Sequence, residues 1–150
     1  MSDREIYEEL RGSLMRFAAS LVGPNDAADL VSEVIVATLQ RQRLESLRHP
    51  RAYLMQALLN RARSRARRLS REGNALARQR IEPVPDHADA VSDVGRLIAG
   101  LPVRQKAAVF LVYWEDLEPS DAARVMGVSP GTIRRYLHLA RRAMEGTIDG

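Results

Sequence analysis

The sequence contains no cysteine, which excludes disulfides and thiolate metal sites and suits a reducing compartment. Aromatic residues are scarce: two Phe, four Tyr and one Trp stand among 150 residues, beside abundant Ala, Leu, Val and Arg. That balance favours helix over sheet. His49, His87 and His138 are scattered without metal-ligand spacing, and neither a phosphate-cradling glycine loop nor a nucleophile motif is present. An enzyme, a bound metal and a cofactor are therefore not expected. No apolar run approaches the roughly 18 residues of a membrane span. The acidic start Met1-Ser2-Asp3-Arg4-Glu5 does not resemble a signal peptide, so a cytoplasmic protein is expected.

Lysine is almost missing too. Of the 23 basic residues all but Lys106 are arginine, which favours bidentate contacts to phosphate and guanine, although a GC-rich genome gives the same bias. The net charge of +4 hides an alternation: residues 1–40 carry −4, 41–80 carry +10, 81–118 carry −4 and 119–150 carry +2. Basic segments are the footprint of a polyanionic partner; acidic ones call for a different partner or none.

What is present is organised around the stretch from Ser120 to Met144, which reads as a helix-turn-helix. Ala122, Ala123, Val125 and Met126 form a short first helix with small residues for close approach, and Gly127 supplies its left-handed C-terminal cap. Ser129 is placed as the next N-cap and Pro130 as the first helical residue, with Ile133, Leu137 and Ala140 on one face. The other face carries Arg134, Arg135, His138, Arg141 and Arg142, the arrangement of a helix that enters a major groove. A plain helical hairpin with a solvated basic face is the competing account.

Upstream, Ile6, Leu10, Leu14, Phe17 and Leu21 predict an amphipathic helix from residue 4 to about 21. Gly23-Pro24-Asn25 ends it, and Asn25 or Asp26 caps a second helix running to about Arg43. Its apolar side holds Leu30, Val31, Val34, Ile35 and Leu39, and a separate strip holds Asp26, Asp29 and Glu33, which on their own suit the helix dipole. Residues 42–49 read as a polar loop. Pro50 opens a third helix in which Tyr53, Leu54, Ala57, Leu58, Ala62 and Leu69 pack inward. Arg51, Arg61, Arg63, Arg65, Arg67, Arg68 and Arg71 lie elsewhere on it, self-repelling unless phosphate or acidic neighbours neutralise them. Gly73, Pro83 and Pro85 mark a linker, followed by a short helix over 89–99. Leu101-Pro102 opens a helix through Trp114, with Ala107, Ala108, Phe110, Leu111 and Trp114 inward and Tyr113 in the core as well.

Read in this order, the chain resembles bacterial RNA polymerase sigma factors of the small extracytoplasmic-function (ECF) group. Four stretches carry the resemblance: Asp26-Ala27-Ala28-Asp29-Leu30-Val31-Ser32-Glu33-Val34; Pro50-Arg51-Ala52-Tyr53-Leu54 with Asn60-Arg61-Ala62; Leu101-Pro102-Val103-Arg104-Gln105-Lys106-Ala107; and Gly127-Val128-Ser129-Pro130-Gly131-Thr132-Ile133-Arg134. The resemblance implies an all-α fold of two small helical domains joined by a flexible linker. Residues 1–71 would be a region 2-like domain, 72–88 the linker, and 89–150 a region 4-like helix-turn-helix domain. It implies core RNA polymerase and promoter DNA as partners and promoter-directed transcription initiation as the function.

It also implies roles residue by residue. Asp26, Asp29, Leu30, Glu33 and Val34 would bind polymerase. Asn60, Arg61, Arg65 and Arg68 would meet the minus-10 element, where strand opening exposes an unstacked base and arginines hold phosphates. Ser129, Thr132, Arg134, Arg135, His138, Arg141 and Arg142 would meet the minus-35 element as duplex. Tyr53 stands where the family has Trp, Glu118-Pro119 where it commonly has Ser, and Ala122 where it has a larger aliphatic residue. The proline-containing linker would let the two domains change orientation, so that an inhibitory partner, an anti-sigma factor, could clasp them. The alternatives are a one-component helix-turn-helix regulator acting without polymerase, and an RNA-binding or polymerase-associated adaptor using the Arg-rich helix alone.

Overall fold

The structure, a computed structural model, describes residues 1–71, 98 and 100–149, with side chains to residue 146. Among these the chain is all-α: six α-helices, one 3-10 turn and one π-helical turn, with no strand. The expected linker and the expected helix over 89–99 lie outside the described residues, apart from Ile98.

Helix α1 spans Asp3–Val22. Ser2 caps it by accepting the Glu5 N–H, and Glu5 lies in the first turn, where a carboxylate complements the helix dipole. Ile6, Leu14, Phe17, Ala18 and Leu21 form its buried stripe. Gly23 turns the chain at φ 91°, a conformation costly for residues with a Cβ. Helix α2, Pro24–Leu39, starts directly after it with proline in the first turn. The expected side-chain cap by Asn25 or Asp26 is not used, because Pro24 already occupies the first helical position. The helix also ends near Leu39 rather than Arg43, and the chain turns at Gln40–Gln42 through bonds to the Thr38 carbonyl.

The loop expected over 42–49 contains a 3-10 turn, Leu44–Ser46, and is anchored by a fully buried Leu44. Two leucines, Leu44 and Leu47, in an otherwise polar stretch are too few to set a periodicity, so the burial of Leu44 was not visible in sequence. Helix α3, Pro50–Arg71, buries Leu54, Met55, Leu58, Leu59 and Ala62. Met55 and Leu59 join the expected inward set, while Tyr53 and Leu69 are exposed; the buried arc lies one residue further round the cylinder.

Helix α4, Val103–Val109, continues as the π-helical turn Phe110–Trp114. The wider π turn rotates its last residues off the buried arc. Phe110 and Leu111 are buried, but Tyr113 and Trp114 are 56% and 54% exposed, against the expectation that both are core. Helix α5, Pro119–Met126, and helix α6, Pro130–Asp149, complete the fold.

The halves on either side of the undescribed stretch share one core. Phe17 of α1 lies 5.5 Å from Phe110, ring centre to ring centre, and the cluster runs from Ile6 through Leu58 to Ala122 and Ile133. Polar contacts close the seam. Glu115, its side chain only 10% exposed, receives Arg51 of α3, Arg16 of α1 at 3.7 Å and the Ser13 hydroxyl at 3.3 Å. The Lys106 ammonium donates to the Leu21 carbonyl at 2.9 Å.

Candidate nucleic-acid interface and polymerase-docking face

The helix-turn-helix forms as its residues demand. Ala122, Ala123, Val125 and Met126 are all buried, and the absence of bulk at 122 and 123 lets α6 come close. Gly127 adopts the left-handed conformation, φ 70° and ψ 34°, and its N–H returns to the Ala123 carbonyl. Glu118 gives α5 no side-chain cap; its carbonyl instead accepts the N–H groups of Asp121 and Ala122. Ser129 caps α6: its hydroxyl accepts the Thr132 N–H at 3.2 Å and lies 2.9 Å from the Thr132 hydroxyl. These two hydroxyls are thereby engaged with each other at the helix start. Ile133 and Ala140 are buried and Leu137 half-buried. Arg134, Arg135, His138, Arg141 and Arg142 are all exposed along the opposite face. Among the described residues neither these four arginines nor His138 forms an ion pair, so the face is open to an anionic ligand.

A second basic surface lies on α3. A groove of about 630 Å³ between α2 and α3 is lined by Tyr53, Gln56, Asn60, Arg61, Arg65 and Arg68, together with Glu33 and Arg41. It brings together all four residues expected on the minus-10 side. It also contains three that sequence reasoning left out: Tyr53, whose hydroxyl receives the Gln42 amide at 3.0 Å; Gln56; and Arg41. Tyr53 was assigned to the core because an aromatic at helical spacing with leucines usually packs there. At the other side of α3, partial burial and the neighbouring guanidiniums of Arg104 and Arg67 lower the pKa of Arg63. Arg104 in turn donates to the Tyr136 hydroxyl of α6 at 3.2 Å.

The acidic strip is on α2. Asp26, Asp29 and Glu33 are exposed, whereas Leu30 and Val34 are buried at 0% and 3% exposure. The two apolar residues expected to touch polymerase therefore hold α2 against the core from behind. Val36 and Leu39, 55% and 45% exposed, extend the outward side of the helix beyond Glu33. Glu33 is not idle: its carboxylate is 3.5 Å from Arg61 and 3.4 Å from Arg65.

An all-helical chain with a capped helix-turn-helix, a second arginine-rich helix and an acidic helix edge defines a DNA-binding transcription protein. Comparison with known proteins takes this further. The description "Sigma-70 region 2" matches residues 6–72, and "Sigma-70, region 4" matches residues 92–144. The RNA polymerase sigma-E factor of Streptomyces coelicolor is 30% identical over 143 residues, covering 91% of this chain and 80% of the relative. The ECF RNA polymerase sigma factor SigL of Mycobacterium tuberculosis is 27% identical over 156 residues, covering 97% and 88%. Among solved structures, the sigma factor RpoE of Bartonella quintana, in complex with the anti-sigma factor NepR, has a similar fold. Its TM-score is 0.69 at 23% identity, over 97% of this chain and 98% of that one.

The chain belongs to the ECF group of bacterial RNA polymerase sigma factors. It acts with core RNA polymerase and directs it to promoter DNA, and the reading as a regulator independent of polymerase is not favoured. Sigma factors are non-enzymatic initiation factors. No described helix is long and apolar enough to cross a membrane.

Proposed function

We propose that three surfaces divide the work of initiation in this chain. Asp26, Asp29 and Glu33 form the charged part of the polymerase-docking face, with Val36 and Leu39 as its apolar end and Leu30 and Val34 as the buried side of the same helix. The α2–α3 groove takes the opened minus-10 strand. Asn60 and Tyr53 lie where an unstacked base is held, while Arg61, Arg65 and Arg68 contact phosphate. The α6 face takes the minus-35 duplex, with Arg134, Arg135 and His138 toward base edges, Arg141 and Arg142 on phosphate, and Ser129 and Thr132 at the helix start.

The single observation that carries this reading is the outward face of α6. Four exposed arginines and His138 project from a helix whose turn, cap and buried stripe are all satisfied without them. We place the domain limits at 1–71 and 89–150, with 72–88 between them. The protein itself has no catalytic chemistry in this account and works in the cytoplasm, beside polymerase and chromosome. An anti-sigma partner is proposed by analogy with the complex formed by the Bartonella relative.

Reconstituted transcription tests the whole. Purified chain with core polymerase should start RNA synthesis at defined sites, and charge reversal at Asp29 and Glu33 should abolish co-purification with core. Unchanged core binding in that variant would overturn the docking assignment.

A further inference from the structure

Glu33 stands in two of the three surfaces at once. It lies on the exposed edge of α2 with Asp26 and Asp29, yet its two carboxylate oxygens are directed to different arginines of α3, Oε2 to Arg61 and Oε1 to Arg65. Those arginines line the groove assigned to the minus-10 strand. One carboxylate thus satisfies a pair of cations that would otherwise repel each other at one helical turn's spacing. The Arg65 side chain is only 22% exposed, so its orientation is set by this contact and by the groove wall rather than by solvent alone.

A carboxylate cannot serve a polymerase cation and two groove arginines with its full strength. We propose that Glu33 is a shared carboxylate that couples polymerase docking to DNA capture. In the free chain it occupies Arg61 and Arg65, in the place of a backbone phosphate. When α2 docks on a cationic polymerase surface, Glu33 is drawn toward that surface and the two guanidiniums are released to phosphate. Linkage makes the effect reciprocal: DNA in the groove displaces Glu33 outward and strengthens docking. The proposal rests on the docking assignment above and adds to it the reason why the free chain should hold a single strand weakly.

The test uses the full chain, free and bound to core polymerase, with a short mixed-sequence DNA single strand as probe, because phosphate contacts do not depend on sequence. Glu33→Gln should tighten the free chain's binding to the strand by roughly two- to thirtyfold, the span for freeing two partly exposed ion pairs. It should also steepen the dependence of log K on log salt by about 0.7 for each phosphate newly contacted. Glu9→Gln, at an exposed carboxylate of α1 outside all three surfaces and without an ion pair among the described residues, should leave both quantities unchanged. In wild type, adding core should strengthen strand binding by the component that Glu33→Gln already shows when free. An unaltered affinity and salt slope in free Glu33→Gln would overturn the proposal. If the slope steepens while core affinity stays at the wild-type value for both Glu33→Gln and Asp29→Asn, the docking assignment is what fails, and the coupling falls with it.

Discussion

The Arg51 guanidinium of α3 closes on the Glu115 carboxylate across the seam between the two halves of the chain. Arg51 is the arginine of the Pro50-Arg51-Ala52 stretch, and Glu115 follows the π-helical turn. Arg16 and Ser13 complete the site, so three elements meet on one nearly buried carboxylate. Removing the cation leaves that carboxylate short of partners in a poorly solvated place, which costs more than the pair itself contributes. Arg51→Ala should therefore lower stability by about 1–3 kcal/mol. Urea denaturation read on Trp114 fluorescence would measure it, and a matching smaller loss for Arg16→Ala would follow from its longer, more exposed contact.

Lys106 provides the second seam contact and a pH dependence. Burial lowers its pKa below the ordinary 10.5. Between the depressed folded value and the unfolded one, the unfolded chain binds more protons, so this group's contribution to stability rises with pH and is complete above 10.5. It is lost as pH falls through the folded value. Because a neutral amine still donates to the Leu21 carbonyl, deprotonation removes the desolvation penalty without removing the bond. The stability difference between wild type and Lys106→Met should shift in favour of wild type as pH rises from neutrality toward that limit. Parallel curves for the two proteins would refute it.

Gly127 is constrained twice. Its φ of 70° disfavours any residue with a Cβ, and a Cβ there would come within 2.8 Å of the Gln56 side-chain amide from α3. The backbone part costs about 1–2 kcal/mol, while the amide, at the far end of a flexible side chain, can move. Gly127→Ala should be destabilising by about that amount, and adding Gln56→Ala should recover only the steric part, as a double-mutant cycle would resolve.

On DNA the two basic surfaces should respond differently. Arg134→Ala should relax preference at one or two promoter positions by ~1–3 kcal/mol, whereas Arg68→Ala should weaken binding evenly across sequences. Equal losses on cognate and scrambled promoters for Arg134→Ala would remove it from base readout.

Much of this fold is written locally. The stripe of α1, the proline start of α3, and the whole α5–Gly127–α6 unit follow from spacing, capping and one left-handed glycine, all of which act within a few residues. The exposed arginines of α6 follow from the same periodicity. Readings failed where a residue's fate depended on a distant element. Leu30 and Val34, on the apolar side of α2 and also given a docking role by the resemblance, are buried because α2 turns that side to α1 and α3. Tyr113 and Trp114 were expected inside and are outside, because a π turn, which has no sequence signature here, shifts the register.

By itself the sequence determined where most helices begin, which faces are basic or acidic, and which family the chain resembles; the starts and the faces depend on neighbours three or four positions away. Only the tertiary structure decided which carboxylate neutralises which arginine. Glu33 reaches Arg61 and Arg65 across 28 and 32 positions, and Glu115 reaches Arg51 across 64. Charge attraction acts through space, and nothing in the order of residues sets those distances until the helices have packed.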